Sequence, residues 1–339
     1  MTQVHGERRL RFDGPLERSL VHRHAADEVF VTDHVALGDG RFAVAARLPS
    51  AHRYFNDDPS PSASIDPMLL LECSRQAGTL VAHRHLGVPT DTAFLIAEWS
   101  ITLDGEPPVL RPGHGTGELT MVIEAKDLKQ RGESLLGATL VSELYFAGRR
   151  IATSTVITGY PSRAGYESFR TRRRSSAAPF SDAMPPRLVG TPADGRQVGR
   201  ALEENIVLST VRRTGGRTVA DLDVPVAHPV FYDHPLDHVP ATALLEAARQ
   251  AALSAVAPEM EDAGKATGPW RVGALSARFG RFVELDSPTE VSACVKQGGS
   301  SRSVAVLFEQ DGAIACDCVV TVLAPSAAPA PAATASGSR

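Results

Sequence analysis

Two stretches of this chain carry helical spacing, and runs of strand character lie around them. In Asp66 to Ala77, DPMLLLECSRQA, a turn of about 100° per residue places Glu72, Arg75, Gln76 and Thr79 within one arc. Leu69, Leu70, Cys73, Ala77, Leu80 and Val81 fill the opposite side. In Pro240 to Ala251, PATALLEAARQA, the apolar positions reach nearly all round and leave Glu246, Arg249 and Gln250 as the polar side, the signature of a buried helix. The first helix is predicted from Asp66 to about Leu86, with Asp66 as N-cap, Pro67 at the first helical position, and Gly87 and Pro89 as stops. The second is predicted from Val239 to Ala257, ended by Pro258.

Before the first helix, strands are predicted at Glu28 to Thr32 and Phe42 to Leu48, separated by a turn at Gly38 to Gly40. After it they are predicted at Phe94 to Leu103, Gly117 to Ala125, Leu135 to Phe146 and Arg150 to Tyr160. The order then recurs. Asn205 to Val211 and Val219 to Val224 precede the second helix, and Trp270 to Phe279, Thr289 to Lys296, Ser303 to Gln310 and Ile314 to Leu323 follow it.

The helices themselves match. Glu72, Arg75, Gln76 and Ala77 are each followed 174 residues later by Glu246, Arg249, Gln250 and Ala251. His52 and Phe55 in AHRYFND correspond to His228 and Phe231 in AHPVFYD. A repeat this long is a duplicated domain, not a solenoid unit. The expected organisation is a lead-in over 1–20, a first domain over 21–161, a Ser/Arg/Pro-rich linker over 162–200, a second domain over 201–323 and a low-complexity tail over 324–339. The linker's basic run, Arg170 with Arg172 to Arg174, reads as a solvated connector. One long helix with antiparallel strands in each half is an α+β layout, in its simplest form a sheet wrapped around a central helix.

At 339 residues the chain fits two domains of ~150 each. A net charge of −4 and a pI near 6.3 give no nucleic-acid signal. The four cysteines are too few and too poorly spaced for a disulfide framework or a zinc site. Cys316 and Cys318, in a predicted strand, are expected to face opposite ways. No apolar core for a signal peptide and no membrane-length apolar run are present, so a cytoplasmic protein without membrane or metal is expected. GHGTG at Gly113 to Gly117 lacks the lysine and helix of a phosphate loop and reads as a turn.

A carboxylate and a guanidinium on a buried helix must be paired. An intrahelical pair at i, i+3 would satisfy each copy, but the recurrence of Glu, Arg and Gln in one register favours a functional pocket in at least one half. His52 and His228 read either as hydrogen-bonded residues at the sheet–helix junction or as substrate contacts.

LLLECSRQA, HPVFYDHPLDHVPATALLEAARQAA and VHRHAADEVFVTD together resemble the A-factor biosynthesis (AfsA-type) γ-butyrolactone synthases, over about Val21 to Val322. The resemblance implies a double hotdog fold. It also implies an acyltransferase that joins a β-ketoacyl group, carried on acyl-carrier protein, to dihydroxyacetone phosphate, with no cofactor. The family's proposed functional residues match Glu72, Glu246 and Arg249; Ala241 and Ala243 depart from its pattern and would reshape an acyl pocket. From that chemistry, Glu246 or Glu72 is expected to serve as general base, its pKa raised by desolvation. Arg249 is expected to hold phosphate, and Arg75, Gln250, Gln76, His228 and Tyr232 to contact substrate. Glu246 is preferred because its helix is the more apolar. A pseudo-dimeric monomer or a homodimer is expected. Alternatives are a hotdog dehydratase or thioesterase, or a non-enzymatic acyl or lactone binder. Aligning the dehydratases' catalytic acid on Glu246 or Glu72 puts Tyr232 or Asp58, not an imidazole, where their histidine belongs.

Overall fold

A computed structural model describes residues 9–59, 64–110, 117–172, 174, 176–184, 190–262, 270–296 and 301–324. The first half runs β1 (Val31–Gly38), β2 (Arg41–Arg47), α1 (Pro67–His85), β3 (Leu95–Leu103), β4 (Glu118–Arg131), β5 (Ser134–Phe146) and β6 (Arg149–Gly159). After α2 (Arg163–Thr171) and the single turn α3 (Gly195–Val198), the second half repeats it. There β7 (Leu208–Thr214), β8 (Arg217–Leu222) and α4 (Ala241–Asp262) precede β9 (Arg271–Phe279), β10 (Thr289–Lys296), β11 (Ser301–Gln310) and β12 (Ala313–Leu323).

All twelve strands join one antiparallel sheet in the order β1-β2-β4-β5-β6-β3-β9-β12-β11-β10-β8-β7. Read from either edge to the middle, the two halves have the same topology, and Ser100 faces Ser276 at the β3–β9 junction between them. Each half wraps its sheet on a helix, α1 or α4, and the fold is the expected double hotdog. Strand alternation supplies the inner wall: Thr289, Val291 and Ala293 of β10 are buried while Glu290 between them is exposed. On α4 the small Ala243, Ala247, Ala248, Ala251 and Ala252 are all buried. Among the described residues no helix is long and apolar enough to cross a membrane.

Asp66 does cap α1, its Oδ1 accepting from the Met68 amide at 2.8 Å. Four expectations change. The first strand starts at Val31, because Gln76 takes the Phe30 amide and the Glu28 carbonyl onto its side chain; the rest of β1 runs out to exposed positions with no apolar alternation to mark it. Next, α4 passes through Pro258 to Asp262. Proline cannot donate to the Ser254 carbonyl four residues back, but that oxygen accepts instead from Arg213 Nη2 at 3.0 Å. Cys316 and Cys318, two apart on β12, share a face, with their sulfurs 3.6 Å apart. Finally, the basic run is only partly a solvated connector: Arg172 is exposed and Arg173 lies outside the described residues, but the other two arginines are folded in. Arg170 is buried against Asp237 and Glu284 with its guanidinium over the Phe282 ring, and Arg174 pairs with Glu284 and Asp286. These partners lie more than sixty residues away, beyond the reach of local sequence patterns. The tail beyond 324 and residues 113–116 of the GHGTG turn lie outside the described residues.

Candidate active site

The two helix glutamates head two networks built on one plan. Glu72 Oε1 accepts from Arg23 Nε (3.0 Å), Arg75 Nη2 (2.8 Å) and Gln76 Nε2 (2.7 Å), and its Oε2 from Arg75 Nε (2.8 Å). Arg23 then crosses to the other half. Its Nη1 donates to the Val230 carbonyl (2.7 Å) and lies 3.7 Å from Asp233 Oδ2. In the second half Glu246 is held by Arg200 and Arg249, each through two nitrogens at 2.8–2.9 Å, and by Gln250 Nε2 (2.6 Å). Arg200 crosses back, donating to the Tyr54 carbonyl at 2.8 Å. Gln76 and Gln250 do equivalent work, tying their helices to the Phe30 and Val207 amides (2.8 and 3.0 Å).

The equivalence ends at two positions. Where the first network has Val230, the second has Tyr54, which donates its hydroxyl to Glu246 Oε2 (3.0 Å) and lies under the Arg200 guanidinium at 4.4 Å. Where Pro240 precedes α4, Asp66 precedes α1 and accepts from Arg200 Nη1 (3.0 Å). Tyr54 and Asp66 fill the space around Arg200, and Glu246 has no exposed surface.

With valine and proline in those places, the other network borders a cavity of about 560 Å³ between the two halves. Arg23, Arg75, Gly78 and Thr79 line it from the first half. Val230, His234, His238 and the first turn of α4, Pro240 to Thr242, line it from the second. Phe94, Trp99, Leu140 and Val156 form apolar wall, and Arg281 stands at its rim, exposed. A Cβ at Gly78 would meet Leu140 Cδ1 at 3.0 Å, so a larger residue there would push on the wall. Ala241 also lines the cavity, whereas Ala243 is buried in the core.

The electrostatics overturn one expectation. Burial by itself would raise both glutamates, but Arg23 and Arg75 hold Glu72 down to about 2, and Arg200 and Arg249 hold Glu246 well below the usual carboxylate range. Both are fixed anions with their oxygens occupied, unsuited to accept a proton near neutrality. His22, on the cavity wall, is pushed down to about 3 by burial and by neighbouring His83, and is neutral.

Of the residues expected at a site, Glu72, Arg75 and Gln76 form one cluster at the cavity, and Glu246, Arg249 and Gln250 form another at its closed counterpart. His228 is a junction residue: Nε2 meets Asn205 Oδ1 at 3.0 Å, Nδ1 accepts from the Val230 and Phe231 amides, and burial lowers its pKa to about 4. His52 matches it, meeting Glu28 Oε1 at 3.1 Å. Tyr232 is buried and does not line the cavity. Sequence reasoning missed Arg23, Arg200 and Asp233. Their signals were a Val-x-Arg repeated 177 residues apart (Val21 to Arg23, Val198 to Arg200) and an aspartate repeated 176 apart (Asp57, Asp233). The middle residue of each Val-x-Arg, His22 or Gly199, is left-handed (φ 51° and 67°), the same bend aiming both arginines.

The A-factor biosynthesis hotdog domain model matches residues 5–160 and 182–325. The 2-oxo-3-(phosphooxy)propyl 3-oxoalkanoate synthase of Streptomyces virginiae is 32% identical over 307 residues, covering 89% of this chain and 96% of the relative. Its namesake from Streptomyces coelicolor is also 32% identical, covering 88% of this chain and 89% of the relative. Among solved structures, an oleoyl thioesterase (putative) from Lactobacillus plantarum superposes with a TM-score of 0.49 at 13% identity, covering 84% of this chain and 96% of that one. Both halves match the family model and the relatives align over nearly their whole length, so this chain belongs to the A-factor biosynthesis hotdog domain family.

Proposed function

We propose that this chain is an acyltransferase that takes a β-ketoacyl group, delivered as a thioester of acyl-carrier protein, and esterifies it to the hydroxyl of dihydroxyacetone phosphate. The product is a 2-oxo-3-(phosphooxy)propyl 3-oxoalkanoate, the class of compound its relatives are named for, and it can close by intramolecular condensation to a butenolide.

The observation that carries this reading is the convergence, in one cavity, of an apolar wall, guanidinium groups and the first turn of a long helix. The acyl chain lies along Phe94, Trp99 and Val156. The thioester oxygen, which gains charge as the hydroxyl attacks, faces the amides at the start of α4, where the helix dipole is positive. The phosphate is met by Arg281, whose guanidinium carries no ion pair among the described residues; Arg75, lining the same cavity but donating to Glu72 and the Val21 carbonyl, adds its charge. Arg249 is less suited to phosphate: it is buried and donates to Glu246 and to the Val198 carbonyl. Glu72 fixes Arg23 and Arg75 at the cavity, while Glu246 performs the same task where the space is filled. A dehydratase reading is the weaker, since the relatives are named for the phosphorylated ester and not for an enoyl product.

The test is mass analysis of a β-ketoacyl thioester incubated with the enzyme, with and without dihydroxyacetone phosphate. A phosphorylated ester that requires the triose phosphate is expected. Arg281→Ala should raise KM for the triose phosphate at least about tenfold, as loss of a charge-assisted contact does, with KM for the thioester unchanged. Free acid or enoyl thioester in both arms would return the chain to ordinary thioester hydrolysis or dehydration.

A further inference from the structure

The transfer needs a base for the attacking hydroxyl, and neither helix glutamate can provide one. We infer that His234, oriented by Asp233, is the catalytic base at this cavity, an inference that rests on the proposed acyl transfer.

His234 lines the cavity and keeps part of its side chain exposed. Its Nδ1 lies 2.5 Å from Asp233 Oδ1. Asp233 is itself pinned: Oδ2 accepts the His24 amide at 2.8 Å and lies 3.7 Å from Arg23 Nη1. The fixed carboxylate accepts from Nδ1–H, which leaves Nε2, without a protein partner among the described residues, as the nitrogen that can take a proton from substrate. A base held by a buried acceptor on its far nitrogen is the arrangement that acyl transfer uses in hydrolytic triads. The dyad also joins the Arg23–Glu72–Arg75 cluster directly, through Arg23 and Asp233.

The comparison between halves isolates the imidazole. Asp233 has its counterpart in Asp57, which likewise accepts backbone amides, those of Ala201 and Leu202. The counterpart of His234 is Asp58. The aspartate is thus common to both halves, and the histidine occurs only where the cavity is open. A second histidine, His238, also lines the cavity and pairs with Asp237 at 2.6 Å, though that aspartate does not line it. Asp237, however, is engaged by Tyr166 and Arg170 in the contacts that bind α2 to the second half, and His238 packs on Phe282. That pair anchors structure.

The chemistry balances. Nε2 of His234 takes the hydroxyl proton of dihydroxyacetone phosphate as its oxygen bonds to the thioester carbon. The tetrahedral intermediate then collapses, the C–S bond breaks, and the imidazolium returns the proton to the departing sulfur, leaving ester and carrier thiol. The charged and titratable groups around the ring are Asp233, Arg23, His22 and the stacked ring of His24, centroids 4.6 Å apart.

The experiment compares wild type with His234→Gln, His234→Ala, Asp233→Asn and His238→Gln, following the phosphorylated ester by mass across pH. Wild type must first form ester; if it does not, the acyl-transfer reading itself fails. Given ester, His234→Gln should lower kcat by about 10²–10⁴-fold with KM for the thioester within about threefold, the range for loss of a general base. The residual activity should lack the acidic limb of kcat/KM that wild type shows. Imidazole in the buffer should restore part of the rate to His234→Ala. Asp233→Asn should lower kcat and displace that limb, while His238→Gln keeps it. Wild-type kcat in His234→Gln would overturn the assignment, as would an intact acidic limb there or a His234→Ala enzyme that imidazole does not help. Loss of the limb in His238→Gln alone would move the base to the other pair.

Discussion

Arg23 and Arg200 are the same residue in the plan of the repeat, and their replacement by methionine should have different consequences. Arg200 has 1% of its side chain exposed and makes two bonds to Glu246, one to the Tyr54 carbonyl and one to Asp66. Arg200→Met fills much of the volume but strands part of the charge of Glu246, and breaking one side of a buried ion pair costs about 3–5 kcal/mol. Unfolding roughly 300 ordered residues at about 2.1 cal/mol/K each gives an unfolding entropy near 0.6 kcal/mol/K, so the melting temperature should fall by about 5–8 °C. Adding Glu246→Gln removes the stranded charge, and the double variant should recover about 1–3 kcal/mol relative to additivity. At 20 °C, well below melting, Arg200→Met should keep turnover within about threefold, because Arg200 does not line the cavity. Arg23→Met should also destabilise, but it exposes the cavity, frees Arg75 and Asp233, and should lower turnover by about 10²-fold or more. Calorimetry and the ester assay on the same preparations read both effects. Equal loss of activity in the two variants while both remain folded would refute the division into an open site and a filled one. A shift of under 1 °C in Arg200→Met would refute the energetic account.

Two other outcomes follow from the same geometry. Val230→Tyr copies Tyr54 into the open network; its ring should occupy the cavity beside Arg23 and its hydroxyl reach Glu72, so kcat/KM for the thioester should fall at least about tenfold without loss of melting temperature, by steady-state kinetics beside a melt. Stability should also depend on acid in a defined direction. Glu72 and Asp233 are both held down to about 2 in the fold, against about 4 in an unfolded chain. Their contribution is therefore fully present above the unfolded values and lost as pH falls through the folded ones, while buried His22 and His228, held to about 3 and about 4 against about 6.5 in an unfolded chain, already favour unfolding as pH falls below about 7. Urea midpoints should therefore be level only above about pH 7, decline below it, and drop further between about pH 5 and 2 as the carboxylates are protonated. Glu72→Gln should flatten part of that drop, and an unchanged slope would count against the assignment.

Much of the architecture was legible because duplication printed it twice. The Glu-x-x-Arg-Gln register located both helices and identified the side chains that meet beneath them, and the turn at Gly38 to Gly40 and the Asp66 cap could be read from single residues. What could not be read was which copy opens. That depends on Tyr54 against Val230 and Asp66 against Pro240, substitutions whose meaning appears only when Arg200 and Arg23 arrive from the other half. The drier helix surroundings of Glu246 pointed to it as the base, but enclosure together with two guanidiniums gives a fixed anion. The same distance effect hid the role of the basic linker: Arg170 and Arg174 look solvated until Glu284 and Asp286 are folded against them.

The junction at Ser100 and Ser276 has a consequence for how such an enzyme can change. If the two halves were separate identical chains meeting along those strands, every substitution would appear twice, and a tyrosine that plugged one site would plug its twin. One continuous chain releases that symmetry. A mutation can shut one half and bolt it for rigidity while its sister keeps an opening, and selection on catalysis and selection on durability can act on different copies of the same ancestral design.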